Sequence, residues 1–159
     1  MNLGSIIIGA TLIAIVVVPI VLMEVKRKKR EHKKLKSLLN IANQQDCIIS
    51  KHEVCADFII GIDESKKKVF FVKQQKEEAL TLSVDLNETQ SCKVINTNRT
   101  FKSKEGSQKV IDRLELSFIP TNKNKSETKM EFFNADLRGQ LNGELQCIEK
   151  WSKLVNALL

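Results

Sequence analysis

ALTLSVDLN, residues 79–87, decides the fold. Side chains alternate across an extended chain. Leu80, Leu82, Val84 and Leu86 therefore face one way, and Thr81, Ser83 and Asp85 the other. One dry face and one wet face is the pattern of an antiparallel sheet packed on one side.

Toward the C-terminus, CKVINT at 92–97 gives a further strand and a polar loop is expected over 98–108. Alternation resumes at 110–119, where Leu114, Leu116 and Phe118 oppose Arg113, Glu115 and Ser117. Pro120 has no N–H to donate and stops that strand. TNKNKSET, 121–128, is a turn, and 129–133 gives the last strand. From Asn142 the period becomes 3.6. Leu145, Ile148, Trp151 or Ser152, Val155 and Leu158 share a stripe, backed by Leu141, Cys147 and Leu154. Glu144, Glu149, Lys150 and Lys153 fall outside it. Asn142 with Gly143 starts this helix, and Glu144 follows where the helix dipole favours an anion.

Toward the N-terminus, VFFV at 69–72 is a strand preceded by the polar turn SKKK at 65–68. CIISKHEV (47–54) and DFIIGI (57–62) are two more short strands. Ile59-Ile60 and Val72 sit in the arms of a hairpin. Gly61 inside a strand predicts either a bulge or the close approach of a neighbour. About seven antiparallel strands followed by one amphipathic helix make an α+β domain over 45–159.

That order resembles the pleckstrin-homology-like fold. The resemblance rests on the strand count and on Leu145, Ile148, Trp151, Leu154 and Val155, which are similar to that family's closing helix with its buried tryptophan. It implies a seven-strand antiparallel bent barrel plugged at one end by the helix, with the open end as the binding surface. The whole chain also resembles bacterial proteins that join one membrane helix to such a domain. Phosphoinositide-binding members of the family carry basic residues between their first two strands. Here that connection is VCAD, 54–57, with no basic residue. Lys66, Lys67 and Lys68 in the next turn are the residues left as a candidate lipid-headgroup site, and Lys102, Lys104 and Lys109 belong to a surface loop.

Residues 3–23 carry no charge and are mostly isoleucine, valine and leucine. As a helix they span ~31 Å, about the thickness of the hydrocarbon layer. A transmembrane helix over 3–23 is therefore expected. A cleaved leader is disfavoured because no basic residue precedes the run and Val21-Leu22-Met23-Glu24 is no small-x-small site. Lys26, Arg27, Lys28, Lys29, Arg30, Lys33, Lys34 and Lys36 follow at once and form a membrane-surface cluster. Positive charge resists translocation, so the expected topology is single-pass in the inner cell membrane with the C-terminal domain cytoplasmic. Residues 24–44 read as a basic amphipathic juxtamembrane stalk, with Leu35, Leu38, Leu39 and Ala42 on one stripe. Three uses are open to that stripe: packing on the chain's own domain, which is the default, lying on the membrane, or pairing with a second copy.

Of the formal charge of +7, the segment 24–36 carries +6, its eight basic residues less Glu24 and Glu31. From Ser37 onward acidic and basic residues nearly balance, so the domain carries no signature of a nucleic-acid partner. Cys47, Cys55, Cys92 and Cys147 show no C-x-x-C spacing, and His32 and His52 are the only histidines. Among apolar neighbours each cysteine reads as a reduced thiol. His52 and Cys55 point to opposite faces of a strand, Asp63-Glu64 reads as a turn, and no glycine-rich stretch matches a phosphate cradle. No catalytic residue, metal site or cofactor is expected. The chain reads as a non-enzymatic module that is held by membrane lipids and presents a domain to a protein or peptide. The alternative is an anionic-lipid sensor using the basic stalk and the Lys66–Lys68 turn.

Overall fold

The computed structural model describes residues 3–75, 78–103 and 106–159, without the side chains of 3–10, 101–103, 106 and 108. Its elements run α1 (Leu3–Gln44), β1 (Lys51–Val54), β2 (Phe58–Asp63), β3 (Lys68–Gln74), β4 (Ala79–Asp85), β5 (Thr89–Ser103), β6 (Gly106–Pro120), β7 (Thr128–Asn134) and α2 (Glu144–Asn156). All strand pairs are antiparallel. They form a four-stranded sheet, β1-β2-β3-β4, and a three-stranded sheet, β5-β6-β7.

The α+β architecture with seven antiparallel strands and a C-terminal helix is as the sequence predicts. The closed barrel is not. Among the described residues no ladder joins the two sheets. Between them Asp85 caps a short 3-10 turn, Leu86–Glu88, by accepting from the Asn87 N–H, and this turn leads the chain into the second sheet.

The two central strands of the first sheet, β2 and β3, are dry on both faces. Every residue of β2 is buried. Ile59, Phe70 and Val72 pack with Leu38, Ala42 and Cys47 on the α1 side. Phe58, Ile60, Ile62, Val69 and Phe71 point the other way, into a core shared with β5–β7 and α2. There the rings of Phe58, Phe71 and Phe132 lie 4.6–5.8 Å apart. Fully burying one such side chain stabilises by roughly 1.5–3 kcal/mol. α1 thus acts as one layer of the domain, and the stalk's apolar stripe packs on its own chain. Leu39 departs from the expected stripe. It is exposed, and half-buried Ile41 and Leu35 flank the contact instead.

Gly61 explains how α1 comes so close. A Cβ there would lie 2.7 Å from Leu38 Cδ2 and 3.1 Å from Ile49 Cγ2. The pairing of β2 with β1 and β3 runs through Gly61 without a register shift, so the close approach, not a bulge, is what the glycine serves. α1 then ends in a Schellman motif. The Cys47 N–H donates to the Ala42 carbonyl and the Asp46 N–H to that of Asn43, with Asp46 left-handed at φ 54°.

Two further expectations are corrected. The predicted loop over 98–108 is mostly strand, because β5 and β6 pair from Cys92↔Phe118 out to Ser103↔Gly106. β7 accompanies β6 only from Arg113 to Phe118, so the outer hairpin is a two-stranded ribbon. A polar sequence can hold such a ladder, since neither face of a ribbon need be dry. The first strand is also shorter than expected. Residues 47–50 lie outside β1, and Cys47 packs under α1.

Candidate functional site

α1 leaves the domain along its basic stretch, and Lys34 is the fastening. Its ammonium donates to the carbonyls of Cys55 at 2.8 Å and Ala56 at 2.5 Å, in the turn between β1 and β2. Burial pushes this ammonium's pKa below its ordinary value, against the opposing pull of nearby Asp57. Lys26, Arg30 and Lys34 follow each other at four-residue intervals, hence on one helix stripe, with Arg27 beside it. Together with Met23, Glu24 and Glu31 they face Val54, Cys55 and Ala56 across an open cleft of about 550 Å³. Of the eight basic residues assigned to the membrane surface, these four line the cleft. Lys28, Lys29, Lys33 and Lys36 are exposed elsewhere on the helix. Arg27 pairs with Glu24 at 2.9 Å and Glu31 at 3.7 Å, but all three are exposed and the pairs add little stability. Lys34 aside, the helical wall of the cleft sets Lys26, Arg27 and Arg30 against Glu24 and Glu31, a net positive face suited to an anionic group.

Lys66, Lys67 and Lys68 lie at the far end of α1. The Asp63 carboxylate organises their turn, accepting from the N–H groups of Ile48 (2.7 Å), Ser65 (2.9 Å) and Lys66 (2.9 Å) and from the Ser65 hydroxyl (2.6 Å). Burial alone would raise the Asp63 pKa. These hydrogen bonds overcome it and hold the group at about 2. Lys66 donates to the Asp46 carbonyl at 2.5 Å and Lys68 to Gln45 Oε1 at 3.2 Å, while Lys67 is left-handed at φ 52°. Two of the three lysines thus lock the turn to the end of α1. Lys34, the residue of α1 in the cleft nearest this turn, is 11 residues from Gln45, so about 16 Å of helix separates the turn from the cleft.

A second group of charges was not legible in the sequence. Lys73 follows the apolar run of β3 and is 2 % exposed. Its ammonium meets Glu131 Oε1 at 2.8 Å and Asp57 at 3.7 Å. Arg138 bridges Asp57 at 3.4 Å and Glu144 at 3.0 Å. Arg113 completes the set at 3.6 Å from Glu131. Glu144 is therefore buried, not on the wet side of α2 as its spacing suggests. It reaches back to accept from the Asn142 N–H, and Gly143, left-handed at φ 91°, supplies the N-cap without a side-chain bond. An open cleft of about 780 Å³ adjoins this network, lined by Asp57, Lys73, Gln74, Gln75, Glu78, Leu137 and Arg138. Its charges satisfy one another, and no described buried side-chain polar atom lacks a partner. The network braces the β1–β2 turn, β3, β6, β7 and α2.

Trp151 is buried, as the closing-helix pattern requires, and its indole N–H donates to Glu53 at 2.9 Å. Cys55 contacts Cys147, not His52. Among the described residues no group of three or more His, Cys, Asp or Glu could hold a metal ion.

Above the cleft, Leu12, Ile13, Ile15, Val16, Ile20, Leu22 and Met23 are each more than half exposed. Among the described residues no helix is long and apolar enough to cross a membrane. The span expected over 3–23 begins in 3–10, whose side chains lie outside the described residues. Protein-family models, curated proteins and solved structures give no match to this chain.

Proposed function

We propose that the chain is a membrane-tethered interaction module without catalytic activity, its N-terminal segment crossing the inner membrane once and its domain held on the cytoplasmic side. The observation that carries this reading is the character of α1. One unbroken helix has uncovered apolar side chains over 12–23, a basic collar over 26–36, and a stripe sealed onto the domain at Leu38 and Ala42. Large exposed apolar surfaces on a folded chain mark a site of contact with membrane or protein. A continuous helix would fix the domain's height and orientation above the bilayer.

The four-plus-three strand order and the closing helix with buried Trp151 support reading the domain as pleckstrin-homology-like. β4 is an edge strand of the first sheet, with Ala79, Leu80 and Thr81 exposed. An extended peptide would add there by main-chain hydrogen bonds, and tethering would raise its encounter rate with membrane partners. Protease added outside intact cells tests the topology: the domain should survive until the membrane is opened. Digestion in intact cells would overturn the cytoplasmic placement.

The basic cleft favours a second reading, that the collar also senses anionic lipid, at ~1 kcal/mol per basic residue near the surface. Replacing Lys26, Arg27 and Arg30 together by glutamine leaves the Lys34 fastening intact. Flotation of that variant should lose its preference for anionic over neutral vesicles. An unchanged preference would remove this reading and leave the first standing.

A further inference from the structure

Two thiols 92 residues apart in sequence touch: Cys55 Sγ donates to Cys147 Sγ at 3.4 Å. Cys55 lies in the turn after β1, half-buried, and lines the basic cleft beside Lys34. Cys147 sits behind it in the first turn of α2, 4 % exposed. All four cysteines are free. Cys47 is sealed under α1, and Cys92 is buried in β5.

We propose that Cys55 and Cys147 are a peroxide-responsive dithiol, with Cys55 the residue that a small hydroperoxide oxidises first and Cys147 the residue that resolves it into a disulfide. In the first step the Cys55 sulfur attacks the terminal peroxide oxygen. The O–O bond breaks, the remaining fragment leaves as water or alcohol carrying the thiol proton, and Cys55 becomes a sulfenic acid. In the second step the Cys147 sulfur displaces that hydroxyl, which leaves as water with the Cys147 proton, and the S–S bond forms. The two thiols give up two electrons and the peroxide accepts them.

The geometry assigns the roles. Only Cys55 opens on a cleft, so the oxidant meets it first. Cys147 has its pKa pushed well up by the hydrogen bond with Cys55 and then by burial, so it stays a protonated thiol until Cys55 changes. Closing from 3.4 Å to a disulfide's ~2.05 Å needs a movement of about 1.4 Å, within reach of side-chain adjustment at a turn. The bond would tie α2 to the turn on which Lys34 rests, bracing one wall of the cleft covalently. In a reducing cytoplasm the thiol form is the resting state and the disulfide a transient one.

The test uses the full-length protein in mild detergent with a small molar excess of hydrogen peroxide, followed by denaturing alkylation and mass spectrometry. Two of the four thiols should be lost, the chain should be lighter by two hydrogens, and the peptide map should join Cys55 to Cys147. Dithiothreitol should restore all four. In Cys147→Ser, Cys55 should accumulate a sulfenic acid that dimedone traps. Replacing a buried residue can unfold the chain, so the wild-type map is decisive without the variant. Retention of all four thiols, or a bridge to Cys47 or Cys92, would overturn the proposal.

Discussion

The two halves of α1 meet the same problem, apolar side chains on a helix, in opposite ways. Toward its C-terminal end the apolar residues form a stripe, and the domain covers it: Leu38 and Ala42 are fully buried against β2 and β3. In the N-terminal half they run all round the helix, and Leu12, Ile15, Val18, Ile20 and Leu22 stay exposed. A stripe is satisfied by one surface, whereas an all-round apolar helix needs an apolar surround. The contrast teaches that one helix is covered as a layer of the fold at one end and left uncovered at the other.

Substitution can break or sharpen that contrast. Leu38→Ala should cost about 2–5 kcal/mol, because the rigid layer beneath it cannot collapse into the cavity. Leu22→Ala, a matched deletion from the uncovered half, should change domain stability by less than about 0.5 kcal/mol. Urea denaturation in mild detergent measures both. Equal effects would erase the distinction between the halves.

Gly61→Ala should cost about 1–3 kcal/mol, since the new methyl meets the packed side chains of Leu38 and Ile49, which must shift to admit it. A neutral result would show that the helix does not bear on β2.

Acid reports on the fastening at the end of α1. Asp63 titrates at about 2, below its ordinary 3.8. Its contribution is therefore complete above pH 4 and is lost as pH falls from there through 2. Asp63→Asn should destabilise by about 1–3 kcal/mol at neutral pH. It should also flatten the stability profile between pH 4 and 2. An unaltered slope would mean that another carboxylate governs that window.

The smallest effect belongs to Leu39→Ala, within about 0.5 kcal/mol. The residue is exposed, although helical spacing groups it with Leu38 and Ala42.

Where local pattern governs, the sequence was readable. The alternation of residues 79–87 placed β4, the arms around SKKK gave the β2–β3 hairpin, and the helical stripes located the end of α1 and the buried face of α2. Gly61 announced a close approach but could not say what approached. Long-range pairing left no periodic trace. Lys73 is buried because Glu131, 58 residues on, meets it. Glu144 is buried because Arg138 folds back onto it. The outer part of the β5–β6 ribbon reads as loop because its polar residues carry no dry face. In the candidate site, the basic residues were visible as a cluster. The cleft was not, since its other wall is a turn about 20 residues further along the chain, brought in by Lys34.

Extraction of cell membranes with alkaline carbonate tests the tether most directly. Held only by the basic collar, the full-length chain would be stripped into the supernatant, which would contradict the account. Held by apolar residues within the bilayer, it should remain in the pellet and come away only with detergent.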